Sequence, residues 1–198
     1  MAESHGHAFE HRHSALVIVD MINDFEFDGG QALLEQARTI CQPIAQLRRW
    51  YHARGYPVIY ANDNFGRWQA DFDQVIAHSR RAGARGAALS DELLPEDTDY
   101  FILKPRHSAF YQTPMSILLR KLDTRSVALV GIAGDDCVLR TALDAQMRGY
   151  PVWVPADGIA SQSVARNERA LHLLHDVAGA DITPITTHLA HSASTREH

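Results

Sequence analysis

Six short apolar runs mark out the chain: residues 15–20 (ALVIVD), 57–63 (PVIYAND), 100–104 (YFILK), 126–132 (SVALVGI), 151–157 (PVWVPAD) and 181–187 (DITPITT). They are rich in Val, Ile and Leu and nearly continuous in apolarity. That pattern predicts strands covered on both faces rather than the strict alternation of a half-wet sheet. Between the runs the period changes. Over residues 31–54, Leu33, Leu34, Ala37, Ile40, Ile44, Leu47 and Tyr51 recur at three- and four-residue steps, and Gly55 follows. Over residues 135–148, Val138, Leu139, Ala142, Leu143 and Met147 form a second stripe, closed by Gly149. These stripes predict amphipathic helices ended by glycine, with shorter helices near 114–123 and 164–177. Regular alternation of strand and helix predicts a three-layer α/β/α domain around a six-stranded, mainly parallel sheet.

Composition narrows this picture without changing it. The 198 residues suit one domain, placed at 14–187, and the 45% hydrophobic share is that of a globular chain. No apolar run reaches the ~18 residues of a membrane span, and the N-terminus lacks the apolar stretch of a secretory signal. A net charge of −5 argues against nucleic acid as a partner. Two cysteines, Cys41 and Cys137, are too few for a disulfide scaffold and suit a reducing, cytoplasmic setting. Histidines crowd both ends (His5, His7, His11, His13; His188, His191, His198), where flexible tails over 1–13 and 188–198 are expected.

In open parallel sheets, ligands collect beyond the carboxyl ends of the strands. The residues there are Asp20, Asn62 and Asp63, Lys104, the turn leading through Gly131 and Gly134 to Cys137, and Asp157. Charged strand ends also occur simply because the chain meets water. Cys137 is the most informative: it stands at a helix start, where partial positive charge, helped by Lys104, favours a thiolate. Asp20 within reach could take the thiol proton directly. The bland alternative is a small buried hydrophobe, the role expected of Cys41.

Three segments together, IVDMINDFEF, LKPRHSAFYQTP and LVGIAGDDCVLRTALDAQMRGY, resemble the isochorismatase-like cysteine hydrolase superfamily, over about residues 15–157 and in the same order. That family includes nicotinamidases, N-carbamoylsarcosine amidohydrolases and ureidoacrylate amidohydrolases. The resemblance implies a triad of Asp20 as general base, Lys104 for orientation and charge stabilisation, and Cys137 as nucleophile. It also implies a cis peptide at Ile132–Ala133, an oxyanion hole from the N–H groups of Ala133 and Cys137, and strand order 3-2-1-4-5-6. Nicotinamidases read Asp-x-His after the second strand, where this chain reads Asp63-Asn64-Phe65, so no zinc is expected. His107 is expected as a hydrogen-bonded rim residue. Gly134 and Asp135 replace the Thr-Asp or Thr-Asn of many relatives, which leaves the side-chain support of that turn open.

The loop NDNFGRWQADFD, with Asn64, Phe65, Arg67 and Trp68, could hold a flat, polar small molecule, with Phe25, Phe110 and Tyr111 completing the wall. Phe25 and Phe110 fit core packing equally well, and Trp68 also suits a subunit contact. Residues 79–95, arginine-rich, suit a flap or a contact within the homodimer or homotetramer that the family suggests. No G-x-G-x-x-G follows the first strand and no P-loop occurs, so no cofactor is expected. The expected function is metal-independent hydrolysis of an amide or ureido C–N bond in a small substrate. Vinyl-ether cleavage of the isochorismatase type and non-catalytic small-molecule or nucleotide binding are the alternatives.

Overall fold

The computed structural model describes residues 9–64, 66 and 71–194. Strands β1 (Ser14–Val19), β2 (Val58–Asp63), β3 (Tyr100–Lys104), β4 (Ser126–Ile132) and β5 (Val152–Trp153) pair in the order β3-β2-β1-β4-β5, all parallel. A two-residue strand, β6 (Ile159–Ala160), adds to β4 beyond the end of β5. Helices α1 (Gly30–His52), α2 (Phe72–Ser79), α3 (Ala87–Glu92) and α7 (Ile185–Ser194) supply one covering layer. Helices α4 (Met115–Lys121), α5 (Leu139–Met147) and α6 (Val164–Asp176) supply the other.

The near-continuous apolarity of β1 is explained by this sandwich. Leu16 and Ile18 point into the core beneath α1, whereas Ala15, Val17 and Val19 point into the core beneath α4 to α6. Successive side chains of a strand face opposite ways, so a strand covered on both sides needs apolar residues at every position. β1 and β4 lie in register over six residue pairs at the sheet centre, which sets the ends of both strands side by side. At that end Gly131 adopts φ +114°, and a Cβ there would stand 2.1 Å from the Val19 carbonyl oxygen. Only glycine allows the two strands to approach so closely. No helix among the described residues is long and apolar enough to cross a membrane.

Three expectations change. The run 181–187 is not a strand: Asp181 makes a single bridge to Trp153, and α7 begins at Ile185. The sixth strand is therefore β6, and it joins β4 rather than extending the order past β5. The helix expected over 135–148 is a wide π-helical turn, Gly134–Val138, running directly into α5. The His11 ring stacks on His188 at 3.7 Å between Trp50 and Trp153, and α7 continues to Ser194.

That packing makes stability sensitive to pH. Burial, then the neighbouring His188, holds the His11 pKa down to about 3, and Arg54 adds to this while Asp181 opposes it. Unfolding restores the ordinary value near 6.5, so below that pH the unfolded chain takes up a proton that the folded one refuses. The contribution of neutral His11 is complete above pH 6.5 and declines as pH falls toward 3. His11→Leu is therefore expected to flatten the loss of urea midpoint between pH 7 and pH 5, and an unchanged slope would contradict this account.

Candidate active site

Asp20 follows the last residue of β1 and adopts φ +53°, a left-handed conformation that turns the chain sharply off the sheet. One carboxylate oxygen accepts the Asp63 N–H at 2.7 Å, and the other meets Lys104 Nζ at 2.7 Å. The loop beyond is clamped from two sides. Asn62 Nδ2 donates to the Ile22 carbonyl at 2.7 Å, and the Gly86 N–H donates to the Asp24 carbonyl. Arg81 and Arg85 of the arginine-rich segment pair with Asp24 and Glu26 of the same loop. Residues 79–95 thus include α3 and brace the loop that carries Asp20.

Lys104 ends β3 with no exposed surface, and its Nζ also lies 3.6 Å from Cys137 Sγ. Burial alone would lower its pKa, but the Asp20 carboxylate, with Cys137 and Asp63, outweighs burial and raises it, so the amine stays charged. Cys137, half-buried, sits in the π-helical turn after β4. The Ala133 carbonyl accepts from the N–H groups of Asp136 and Val138, both at 3.1 Å, passing over the N–H of Cys137 between them. The Ile132–Ala133 peptide is cis, as the resemblance implies. Three side chains from the ends of β1, β3 and β4 therefore meet at the carboxyl rim.

The turn's support comes from elsewhere in the chain. Ser161 Oγ accepts the Asp135 N–H at 3.1 Å and itself bonds Asn167 Oδ1 at 3.1 Å, while Arg166 pairs with Asp135 at 2.5 Å. A Cβ on Gly134 would stand 2.6 Å from Asn167 Oδ1, so Ser161 and Asn167 fill the space that a side chain there would need. Thr141 Oγ1 bonds the Cys137 carbonyl at 2.7 Å and accepts the Ala109 N–H at 3.0 Å, tying the Lys104 loop to α5.

The electrostatics of the sulfur run against the sequence-based expectation. Burial first, then the Asp20 carboxylate, pushes the Cys137 thiol well above the ordinary thiol range, with Lys104 opposing and Asp136 adding to the rise. Burial and the nearby Asp20 charge thus favour the neutral thiol over the thiolate. Removing the Asp20 charge removes the second largest cause. Asp20→Asn is accordingly expected to speed alkylation of Cys137 by iodoacetamide near pH 8, where the native thiol reacts more slowly than free cysteine. Rates measured across pH check this, and a variant no faster than the native chain would contradict it.

Beside the sulfur opens a cavity of about 730 Å³, lined by Asp63, Asn64, Gly66, Pro105, Arg106, His107, Tyr111 and Gln112. Its size suits a small molecule. His107 joins cavity to thiol: its Nδ1 is 3.9 Å from Cys137 Sγ and 3.0 Å from Asp136 Oδ2. Asn64 and Tyr111, two of the residues proposed for the wall, are among those lining the cavity. Phe65 and Trp68 lie outside the described residues. Phe25 and Phe110 do not line it. Phe25 is wholly buried under α1, and Phe110 packs in the opposite core with Arg148 over its ring. Arg106 and Gln112 also line it, and the signal that marks them is their place after the carboxyl end of β3, where a rim is built.

A parallel sheet that gathers Asp, Lys and Cys beyond the carboxyl ends of β1, β3 and β4 defines an α/β protein with a reactive rim. The Isochorismatase domain family model matches residues 14–187, and the chain belongs to the isochorismatase family, within the cysteine hydrolase superfamily. It is 43% identical over 169 residues to the uncharacterized isochorismatase family protein YaaI of Bacillus subtilis, covering 85% of this chain and 92% of that one. Among solved structures, it is similar to the nicotinamidase SaPncA of Staphylococcus aureus, at 28% identity and TM-score 0.66 over 86% of this chain and 98% of that one. It is also similar to the N-carbamoylsarcosine amidase of Thermoplasma acidophilum, at 27% identity and TM-score 0.65 over 87% and 96%.

Proposed function

We propose that this protein hydrolyses an amide or ureido C–N bond of a small substrate through a thioester on Cys137, without a metal ion. The observation that carries the reading is one buried ammonium, Lys104 Nζ, within 2.7 Å of Asp20 and 3.6 Å of Cys137 Sγ. The relatives named as a nicotinamidase and an amidase support the bond type. Metal independence is supported by Asp63-Asn64-Phe65, which offers no histidine at the place of the nicotinamidase Asp-x-His.

Asp20 takes the thiol proton as Sγ attacks the substrate carbonyl carbon. The raised thiol pKa keeps charge off the sulfur until a substrate is present, and Lys104 compensates the negative charge that remains. The carbonyl oxygen, now an oxyanion, rests on the N–H groups of Ala133 and Cys137. As the C–N bond breaks, Asp20 returns the proton to the leaving nitrogen. A water molecule gives its proton to Asp20 and attacks the thioester, and the thiolate is reprotonated as the acid departs.

The test is a screen of small amides, ureas and carbamoyl amines, followed by acid quenching and mass spectrometry of the intact chain. A substrate-dependent mass increase on Cys137 is expected. Turnover with no adduct, and with vinyl ethers preferred, would replace this reading by the isochorismatase type, which needs no sulfur nucleophile.

A further inference from the structure

Outside the Asp20–Lys104 pair, the sulfur has a second set of neighbours that the mechanism does not use. One donor atom each from His107, Asp136 and Cys137 lies within 4.8 Å of the other two, among side chains that are half-buried or exposed, with His107 Nδ1 3.0 Å from Asp136 Oδ2. We propose that these three atoms form a binding site for a thiophilic divalent cation of the zinc type, which caps the sulfur and reversibly silences the protein. The site itself is independent of the reaction. The silencing rests on the proposed nucleophilic role of Cys137.

The argument is one of donor type and distance. Thiolate, imidazole and carboxylate are the three side-chain donors of tetrahedral zinc, and sulfur with nitrogen discriminates against magnesium and calcium. Bond lengths of about 2.3 Å to sulfur and about 2.0–2.2 Å to nitrogen and oxygen give tetrahedral edges of about 3.6 Å (S to N) and about 3.4 Å (N to O). The observed separations are 3.9 Å from Sγ to Nδ1 and 3.0 Å from Nδ1 to Oδ2, each within about 0.4 Å of those edges. The third edge, from sulfur to carboxylate, is at most 4.8 Å and closes by up to about 1.2 Å through a turn of the half-exposed side chains.

The neighbours fit as well. Arg140 holds Asp136 Oδ1 at 2.6 Å, which fixes the carboxylate and leaves Oδ2 toward His107. The Lys104 charge, 3.6 Å from the sulfur, is matched by Asp20 at 2.7 Å. His107 also lines the cavity, so a fourth position is open to water. On binding, the thiol proton passes to solvent and the imidazole keeps its proton on Nε2, with Nδ1 as donor. The residues differ from the segment after β2 where nicotinamidases read Asp-x-His.

Cobalt(II) is the probe, added to the reduced full-length chain. A sulfur-to-cobalt charge-transfer band in the near ultraviolet and intense visible bands of tetrahedral cobalt are expected, displaced by stoichiometric zinc and untouched by magnesium. Only Cys41 and Cys137 carry thiols, and Cys41 is buried in α1, so the sulfur band reports Cys137, and the His-rich ends cannot produce it. His107→Ala and Asp136→Asn should each weaken cobalt binding at least about tenfold. Absence of the sulfur band, or cobalt affinity unchanged in both variants, overturns the site. With a substrate in hand, zinc should inhibit and a chelator restore the rate. Zinc that binds with undiminished turnover overturns the capping role. A failed substrate screen leaves the spectroscopic result standing, which separates this inference from the hydrolase reading.

Discussion

Cys137→Ala is expected to lower turnover by on the order of 10⁴-fold or more while leaving the fold in place, as removal of a covalent nucleophile does elsewhere. The size of the effect follows from where the other groups stand. Asp20 is engaged by Lys104 Nζ and the Asp63 N–H, both at 2.7 Å, and so is arranged as a proton carrier rather than as an attacking group. The structural cost is small. The half-buried side chain loses one sulfur, while the Thr141 bond to the residue 137 carbonyl and the Ser161 bond to the Asp135 N–H both remain. Steady-state rates beside far-ultraviolet circular dichroism and urea midpoints check both halves. A rate within tenfold of the native chain would remove the thioester from the mechanism.

Lys104→Met is the second large effect, and it should appear in stability as well as in rate. The ammonium has no exposed surface and the Asp20 side chain is 9% exposed, so removing one partner strands a buried carboxylate. Breaking such a pair costs about 3–5 kcal/mol, because the remaining charge keeps its desolvation penalty without its compensation. Replacing both partners by neutral groups of similar shape removes the stranded charge. The double variant Asp20→Asn/Lys104→Met is therefore expected to be more stable than Lys104→Met by more than about 1 kcal/mol, although inactive. Urea unfolding of the native chain, both single variants and the double variant closes the cycle. A Lys104→Met protein as stable as the native one would mean that the pair is not buried in solution.

Much of this site was legible from residue order. Apolar runs ending in Asp20, Lys104 and the turn to Cys137 place three reactive groups on one rim, because parallel strands end on the same side. The family motifs supplied the same three residues and the cis bond. The 181–187 run misled for an identifiable reason. Its Ile and Thr residues favour a strand, but the Asp157 carboxylate, 28 residues away from Ile185 in sequence, accepts the N–H groups of Ile185 at 2.6 Å and Thr186 at 3.1 Å. Pro184 stands just before the first helical residue, where its missing N–H costs nothing. A helix start capped by a remote side chain leaves no local trace.

The charge state of the sulfur was equally out of reach. A helix start and a lysine suggest a thiolate, but burial and Asp20 outweigh them, and burial is a property of the assembled site. Phe25 and Phe110 stand next to motif residues and could have faced substrate, yet the packing turns both into the core.

By itself the amino-acid order determined the layered architecture and the three groups on one rim, while the central pairing of β1 with β4 came from the family resemblance that its motifs carry. Those features depend on hydrophobic period and on short motifs that each act within a few residues. The tertiary structure alone decided which strand is sixth, which aromatic side chains line the cavity, whether the thiol is protonated at rest and that His107 and Asp136 stand beside it. Each of these depends on desolvation or on a contact between distant segments, and such terms exist only once the chain has closed on itself.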